Sequence, residues 1–257
     1  MNRINQLFSN QPKDLLSIYF CAGAPTLEGT TDVIRSLERH GVNMIEIGIP
    51  FSDPMADGVV IQQAANQALR NGMSLKLLFS QLADIRADVS IPLVLMGYLN
   101  PIMQFGFENF CKECHKCGID GVIIPDLPFK DYQETYRPIA ERYDVKVIML
   151  ITPETSEERI RQIDAHTDGF IYMVSSAATT GAQQDFSLQK RNYFKKIAEM
   201  NLKNPLMIGF GISNKETFTA ACEYASGAII GSRFVALLEE EKCAEKAILQ
   251  LKTMIGK

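Results

Sequence analysis

Glu46 interrupts the run Ile45-Glu46-Ile47-Gly48-Ile49, which otherwise reads as a buried parallel strand. An unpaired charge inside a sheet costs on the order of several kcal/mol, so a carboxyl group there needs either a partner or a task. Strand alternation leaves both open. Facing outward, Glu46 pairs with a helix cation and is structural. Facing inward near the end of its strand, it is a carboxyl in an apolar pocket, with its pKa pushed toward neutrality as a general acid/base requires. The loop that follows, Pro50-Phe51-Ser52-Asp53-Pro54-Met55-Ala56-Asp57-Gly58, brings two more carboxylates. Loop aspartates also serve as turn formers, and Asp57-Gly58 reads equally well as a helix N-cap. Asp126, in Pro125-Asp126-Leu127-Pro128, closes the fourth strand or simply stiffens a turn.

A second kind of chemistry lies near the C-terminus. Gly209-Phe210-Gly211-Ile212-Ser213 and Gly231-Ser232 each follow a strand-like run. Glycines let backbone N–H groups approach an anion, and a helix N-terminus adds a positive dipole end. In eight-stranded α/β barrels the loops after strands seven and eight often hold phosphate. Tyr19, Tyr98 and Tyr172 lie on or near strands, but spacing alone assigns them no role. His40 and His166 fall at helix ends, where capping explains them, and no nucleophilic triad is apparent. Cys111, Cys114 and Cys117 imitate a metal-binding spacing. With Phe107 and Phe110 they instead mark the buried stripe of an amphipathic helix.

These groups need a scaffold. Apolar, β-branched runs recur at Ser17–Cys21, Met44–Ile49, Leu93–Met96, Gly121–Ile124, Val145–Ile151, Phe170–Val174, Leu206–Gly209 and Ala228–Ile230. Segments of helical period separate them: Thr31–His40, Lys76–Arg86, Glu108–Cys117, Asp131–Tyr143, Ser156–His166 and Lys215–Tyr224. Continuous apolar strands alternating with helices predict a parallel sheet covered on both faces. A tight turn before several strands repeats weakly, as in His40-Gly41-Val42-Asn43 and Cys117-Gly118-Ile119-Asp120. One repeated βα unit favours a closed barrel, and no G-x-G-x-x-G opens the first helix. The expectation is a single domain over residues 1–257, a (β/α)8 TIM barrel with a short N-terminal helix at Asn2–Asn10 plugging the floor. Two segments exceed a simple turn, Pro50–Gly58 and the small, polar Ser175–Lys190. Both belong on the catalytic face.

Bulk properties exclude several classes. A formal charge of −4 gives no electrostatic case for nucleic acid or an anionic membrane surface. No apolar run is long enough to span a bilayer. Met1–Phe8 lacks the apolar stretch of a signal peptide, and six cysteines in such a chain read as reduced thiols. A cytoplasmic location is expected.

From Tyr19 to Val235 the chain resembles the tryptophan synthase alpha-subunit family. The resemblance rests on Glu46 through Gly58, Pro125-Asp126-Leu127-Pro128, Gly209-Phe210-Gly211-Ile212 and Gly231-Ser232. It implies retro-aldol cleavage of indole-3-glycerol phosphate to indole and D-glyceraldehyde 3-phosphate without a cofactor in this subunit. Pyridoxal phosphate is then expected only in a partner beta subunit, within an alpha2beta2 heterotetramer. The resemblance makes Glu46 the acid/base and sets Asp57 against the indole N–H. Tyr172, Thr180, Gly181, Gly211, Gly231 and Ser232 become substrate or phosphate contacts, and Tyr19, Met96, Tyr98 and Ile123 line the indole pocket. Departures from the family pattern are Val59 where proline is frequent, Ala178 where glycine is common, and Tyr19 where some relatives carry phenylalanine. Two alternatives are a stand-alone lyase that releases free indole and a mainly regulatory, ligand-sensing subunit. Retention of Glu46 and Asp57 speaks against the regulatory one.

Overall fold

A computed structural model describes residues 1–175 and 186–257. Eight parallel strands close into a barrel in sequential order. They are β1 (Leu15–Cys21), β2 (Met44–Gly48), β3 (Leu93–Met96), β4 (Gly121–Ile123), β5 (Lys146–Ile151), β6 (Ile171–Val174), β7 (Leu206–Gly209) and β8 (Gly227–Ile230). Each apolar run thus became a strand, with its ends shifted by no more than two residues. The repeat of one βα unit produces the sequential pairing, since a right-handed crossover returns each chain segment beside its predecessor.

Helix α1 (Arg3–Asn10) precedes the barrel and α2 (Thr30–Arg39) follows β1. Helices α3 (Val59–Arg70) and α4 (Leu75–Leu82) both lie between β2 and β3, and α5 (Leu99–Phe105) and α6 (Phe107–Cys117) between β3 and β4. After β4 come α7 (Phe129–Asp131) and α8 (Arg137–Arg142), and after β5 comes α9 (Glu157–His166). Then α10 (Leu188–Ala198) follows β6, α11 (Lys215–Tyr224) follows β7, and α12 (Ser232–Glu241) and α13 (Ala244–Ile255) end the chain.

Two helical spans differ from the sequence expectation. The stretch 131–143 is divided by a π-helical turn at Tyr132–Tyr136. Pro138 has no N–H to give and would strain a regular ladder, and the wider turn lets the Arg137 N–H reach the Tyr132 carbonyl instead. The expected helix 76–86 stops at Leu82, and a 3-10 turn at Ile85–Ala87 follows. That turn aims Arg86 away from the helix, so that its guanidinium bonds the Gly118 carbonyl (2.7 Å) and Asp120 (2.6 Å).

Strand alternation sorts the apolar residues into two layers. Leu16, Ile18, Phe20, Ile45 and Ile47 face outward and pack beneath the helices. Leu15, Met44, Val94, Ile123, Ile148, Met207 and Ile229 form the barrel interior. Helix α1 closes the floor, burying Ile4 and Phe8 in that interior layer, with the Phe8 ring 5.7 Å from Phe170. Asn2 fixes the plug: its Oδ1 caps the Ile4 N–H, and its Nδ2 donates to the Asp120 and Asp144 carbonyls, all at 3.0 Å. With the floor sealed, the open end is where the strands finish.

The histidines and cysteines settle into structural roles. Nδ1 of His40 donates to the Ser36 carbonyl (2.7 Å) and Nδ1 of His166 to the Gln162 carbonyl (2.8 Å), binding the last turns of α2 and α9. Cys111, Cys114 and Cys117 are buried on the inner face of α6, and burial pushes the Cys111 thiol up to about 12. Among the described residues no helix is long and apolar enough to cross a membrane.

Candidate active site

The register of β1 against β2 pairs Ser17 with Met44 and Tyr19 with Glu46, which sets the direction of Glu46. Residues 17, 19, 44 and 46 share the inner face, so the carboxyl group points into the barrel. Glu46 is 1% exposed. Its Oε1 accepts a hydrogen bond from Ser17 Oγ at 3.3 Å, and its Oε2 has no protein partner. Burial raises its pKa to about 8 against the smaller opposing effect of Ser17. At neutral pH the group therefore holds its proton.

Asp57 arrives from the loop after β2. It does not cap α3, whose N-terminal residue is preceded by Gly58. Its carboxylate accepts from Tyr98 Oη at 3.1 Å, and that same oxygen accepts the Ala56 N–H at 3.0 Å. Gln62 Nε2 donates to the Asp57 carbonyl at 2.7 Å, so the residue is held on both sides. Burial raises the Asp57 pKa, while the Tyr98 hydrogen bond pulls it back. The two remaining candidate carboxylates lie elsewhere. Asp53 is exposed and accepts from Ser52 Oγ. Asp126 accepts the Leu99 N–H at 2.9 Å and so anchors the start of α5, the turn role.

Glu46 and Asp57 line one cavity among the described residues. Tyr19, Met96 and Tyr172 form part of its wall, and Gly211, Gly231 and Ser232 lie along its rim. The sequence expectation for these residues thus corresponds to one place. Tyr98 is not on the wall but touches the site through Asp57. Ile123 lies wholly buried in the interior layer beside Met96 and is not itself on the wall. Thr180 and Gly181 lie outside the described residues, as does most of the segment Ser175–Lys190.

The rim suits an anion. Phe210 and Gly211 both adopt left-handed backbone, with φ of 69° and 79°. For a bulky residue such as phenylalanine this costs about 1–3 kcal/mol. Ser175 pins it, with Oγ donating to the Phe210 carbonyl at 2.7 Å and its N–H to the Gly209 carbonyl at 3.1 Å. After the neighbouring strand β8, Gly231 and Ser232 begin α12, which has no acidic residue in its first turn. The unbonded amides of that turn are available to a phosphate.

Several lining residues escape a motif reading: Ile61, Ile229 and Arg233. Ser17, which holds Glu46, escapes it too. Its signal is a serine in the apolar strand Leu15–Cys21, two residues before Tyr19 and so on the same face. Arg233 is signalled by a cation in the first turn of a helix, where acidic residues are usual.

The family described as tryptophan synthase alpha chain matches residues 6–257. The tryptophan synthase alpha chain of Bacteroides fragilis is 81% identical over 256 residues, covering 100% of this chain and 97% of that protein. The crystal structure of tryptophan synthase subunit alpha from Legionella pneumophila aligns with a TM-score of 0.88 at 32% identity, covering 100% of this chain and 98% of its own. A chain of the tryptophan synthase complex from Pyrococcus furiosus aligns with a TM-score of 0.83 at 33% identity, covering 95% and 97%. With its closed barrel, its buried glutamate and a match over almost its whole length, this chain belongs to the tryptophan synthase alpha chain family.

Proposed function

We propose that Glu46 and Asp57 carry out the alpha reaction of this family, the cleavage of indole-3-glycerol phosphate to indole and D-glyceraldehyde 3-phosphate. The observation that supports this assignment is the pair itself: two carboxyl groups on one cavity, one kept protonated by burial and the other tied to a tyrosine. Cleavage needs a proton on indole C3, a counter-charge for the ring N–H that becomes cationic, and removal of the hydroxyl proton beside the breaking bond. Glu46 delivers the first proton and, once ionised, takes the hydroxyl proton. The C–C electron pair returns to the ring, the carbonyl of glyceraldehyde 3-phosphate forms, and the proton count closes. Asp57, ionised, accepts the ring N–H and stabilises the charged intermediate. Burial raises the pKa of both carboxyl groups, and at Asp57 the Tyr98 hydrogen bond opposes the rise and favours the ionised form.

Tyr19, Met96 and Tyr172 would flank the indole, and Gly211, Gly231 and Ser232 would hold the phosphate through main-chain amides. Positioned proton transfer supplies about 10²- to 10⁴-fold, and orientation in a water-poor cavity supplies the remainder. The step as written needs no cofactor from this chain.

The product indole passes to a beta subunit for tryptophan synthesis, and we assign the assembly alpha2beta2 stoichiometry. Met55 and Val59, 82% and 67% exposed, flank Asp57 on the loop at the mouth. Exposed apolar side chains there support a docking partner, whose contact would order Asp57. The free thiols of all six cysteines support a cytoplasmic location. Incubation with indole-3-glycerol phosphate, with and without beta subunit, tests the reading. Indole and glyceraldehyde 3-phosphate should appear in equal amounts and faster with the partner; the absence of both products would overturn it.

A further inference from the structure

Arg233 is the one cation among the described residues lining the cavity that Glu46 and Asp57 also line. It stands at the second position of α12, directly after Gly231 and Ser232. Its guanidinium is poorly partnered. Nη2 reaches only the Met254 thioether sulfur, at 3.5 Å, a weak acceptor. Nε is buried without any hydrogen-bond partner. No carboxylate among the described residues pairs with the group, although the chain has an acidic excess. The position is also unfavourable for a cation, since the helix dipole repels positive charge in the first turn by about 0.3–1 kcal/mol. An anion on the rim would correct all of this together.

We propose that Arg233 is a phosphate-contacting residue, offering its guanidinium to the phosphate monoester of the substrate as it lies against the start of α12. This rests on the reaction assigned above. Main-chain amides supply directional hydrogen bonds but no net charge. A dianion placed in a cavity with Glu46 and Asp57 gains from one formal positive charge, and a guanidinium presents paired donors to phosphate oxygens. A packing role against Met254 alone would leave phosphate binding no more sensitive to this residue than indole binding.

Calorimetric titration of the full chain with glycerol 3-phosphate and, separately, with indole distinguishes the roles. Charge-assisted hydrogen bonds are worth enough that Arg233→Met should weaken glycerol 3-phosphate binding about tenfold or more. Indole affinity should change far less, and Arg233→Lys should recover part of the loss. KM for indole-3-glycerol phosphate should rise by more than kcat falls. Equal glycerol 3-phosphate affinity in wild type and Arg233→Met would overturn the proposal. So would parallel losses for both ligands, with Arg233→Lys no better than Arg233→Met. If wild type releases indole from its substrate while phosphate binding ignores Arg233, only the arginine contact fails. If phosphate binding depends on Arg233 but no indole forms, the reaction fails and the contact stands.

Discussion

The Tyr172 hydroxyl occupies the space where a side chain at Gly209 would begin: a Cβ built there would overlap the phenol. Tyr19 stands in the same relation to Gly48. In each case a tyrosine on one strand leans across the last residue of the next, and the bare backbone of a glycine leaves it room. The two tyrosines thereby reach the cavity from β1 and β6, on well-separated parts of the barrel.

Gly209→Ala should therefore displace Tyr172 and lower kcat/KM for indole-3-glycerol phosphate by at least ~10-fold, at a stability cost of about 1–3 kcal/mol from overpacking. Gly48→Ala should act likewise through Tyr19. Steady-state kinetics with thermal melting checks both. Unchanged kinetics in either variant would mean that the tyrosine position is immaterial.

The barrel was almost fully legible because each strand is a continuous apolar run, and burial on both faces leaves little room for another reading. The site was legible only in part. Glu46 and the rim glycines stand out because a charge or a run of glycines violates its surroundings. The direction of Glu46 was not readable, since alternation is symmetric until the register with β1 is known. Ser17 acts through a contact made across 29 residues of chain, to Glu46, which no local pattern encodes. The helix 131–143 misled because Pro138 acts on the hydrogen-bond ladder and leaves the apolar period untouched.

The carboxyl pair sets a pH dependence. Glu46 must carry its proton, so kcat/KM should fall as pH rises through about 8. Asp57 must be ionised, so activity should also fall as pH drops through its own raised pKa. Tyr98→Phe removes a hydrogen bond that favours the ionised form of Asp57, and the acid limb should move to higher pH. A pH–rate profile of wild type and Tyr98→Phe checks this; an acid limb at the same pH in both would contradict it.

The same burial makes Glu46 a burden on stability in alkali. Its folded pKa lies above the unfolded value, so the folded state holds a proton that the unfolded state has released. Stability is then lost progressively from about pH 4.5 to about pH 8. A shift of this size amounts to roughly 3–5 kcal/mol. Glu46→Gln, which cannot ionise, should be more stable than wild type at pH 9 and differ little at pH 4.5. Urea unfolding at the two pH values decides the matter.

At the rim, Gly211→Asp should weaken glycerol 3-phosphate binding severely. It forces a side chain into left-handed backbone at φ 79° and sets a negative charge beside the phosphate. Ser175→Ala should have a milder effect, about 3- to 10-fold, by releasing the hydrogen bond that pins Phe210. Binding titrations that find Gly211→Asp indistinguishable from wild type would place the phosphate elsewhere.

The most direct measurement is indole release from indole-3-glycerol phosphate by Glu46→Gln at neutral pH with saturating beta subunit. An amide keeps the size and much of the hydrogen bonding of the side chain but cannot give or take the proton. The expected result is a folded protein that still binds glycerol 3-phosphate, with turnover reduced by about 10²- to 10⁴-fold. Turnover within a fewfold of wild type would contradict the assignment of Glu46 as the acid and base of the reaction.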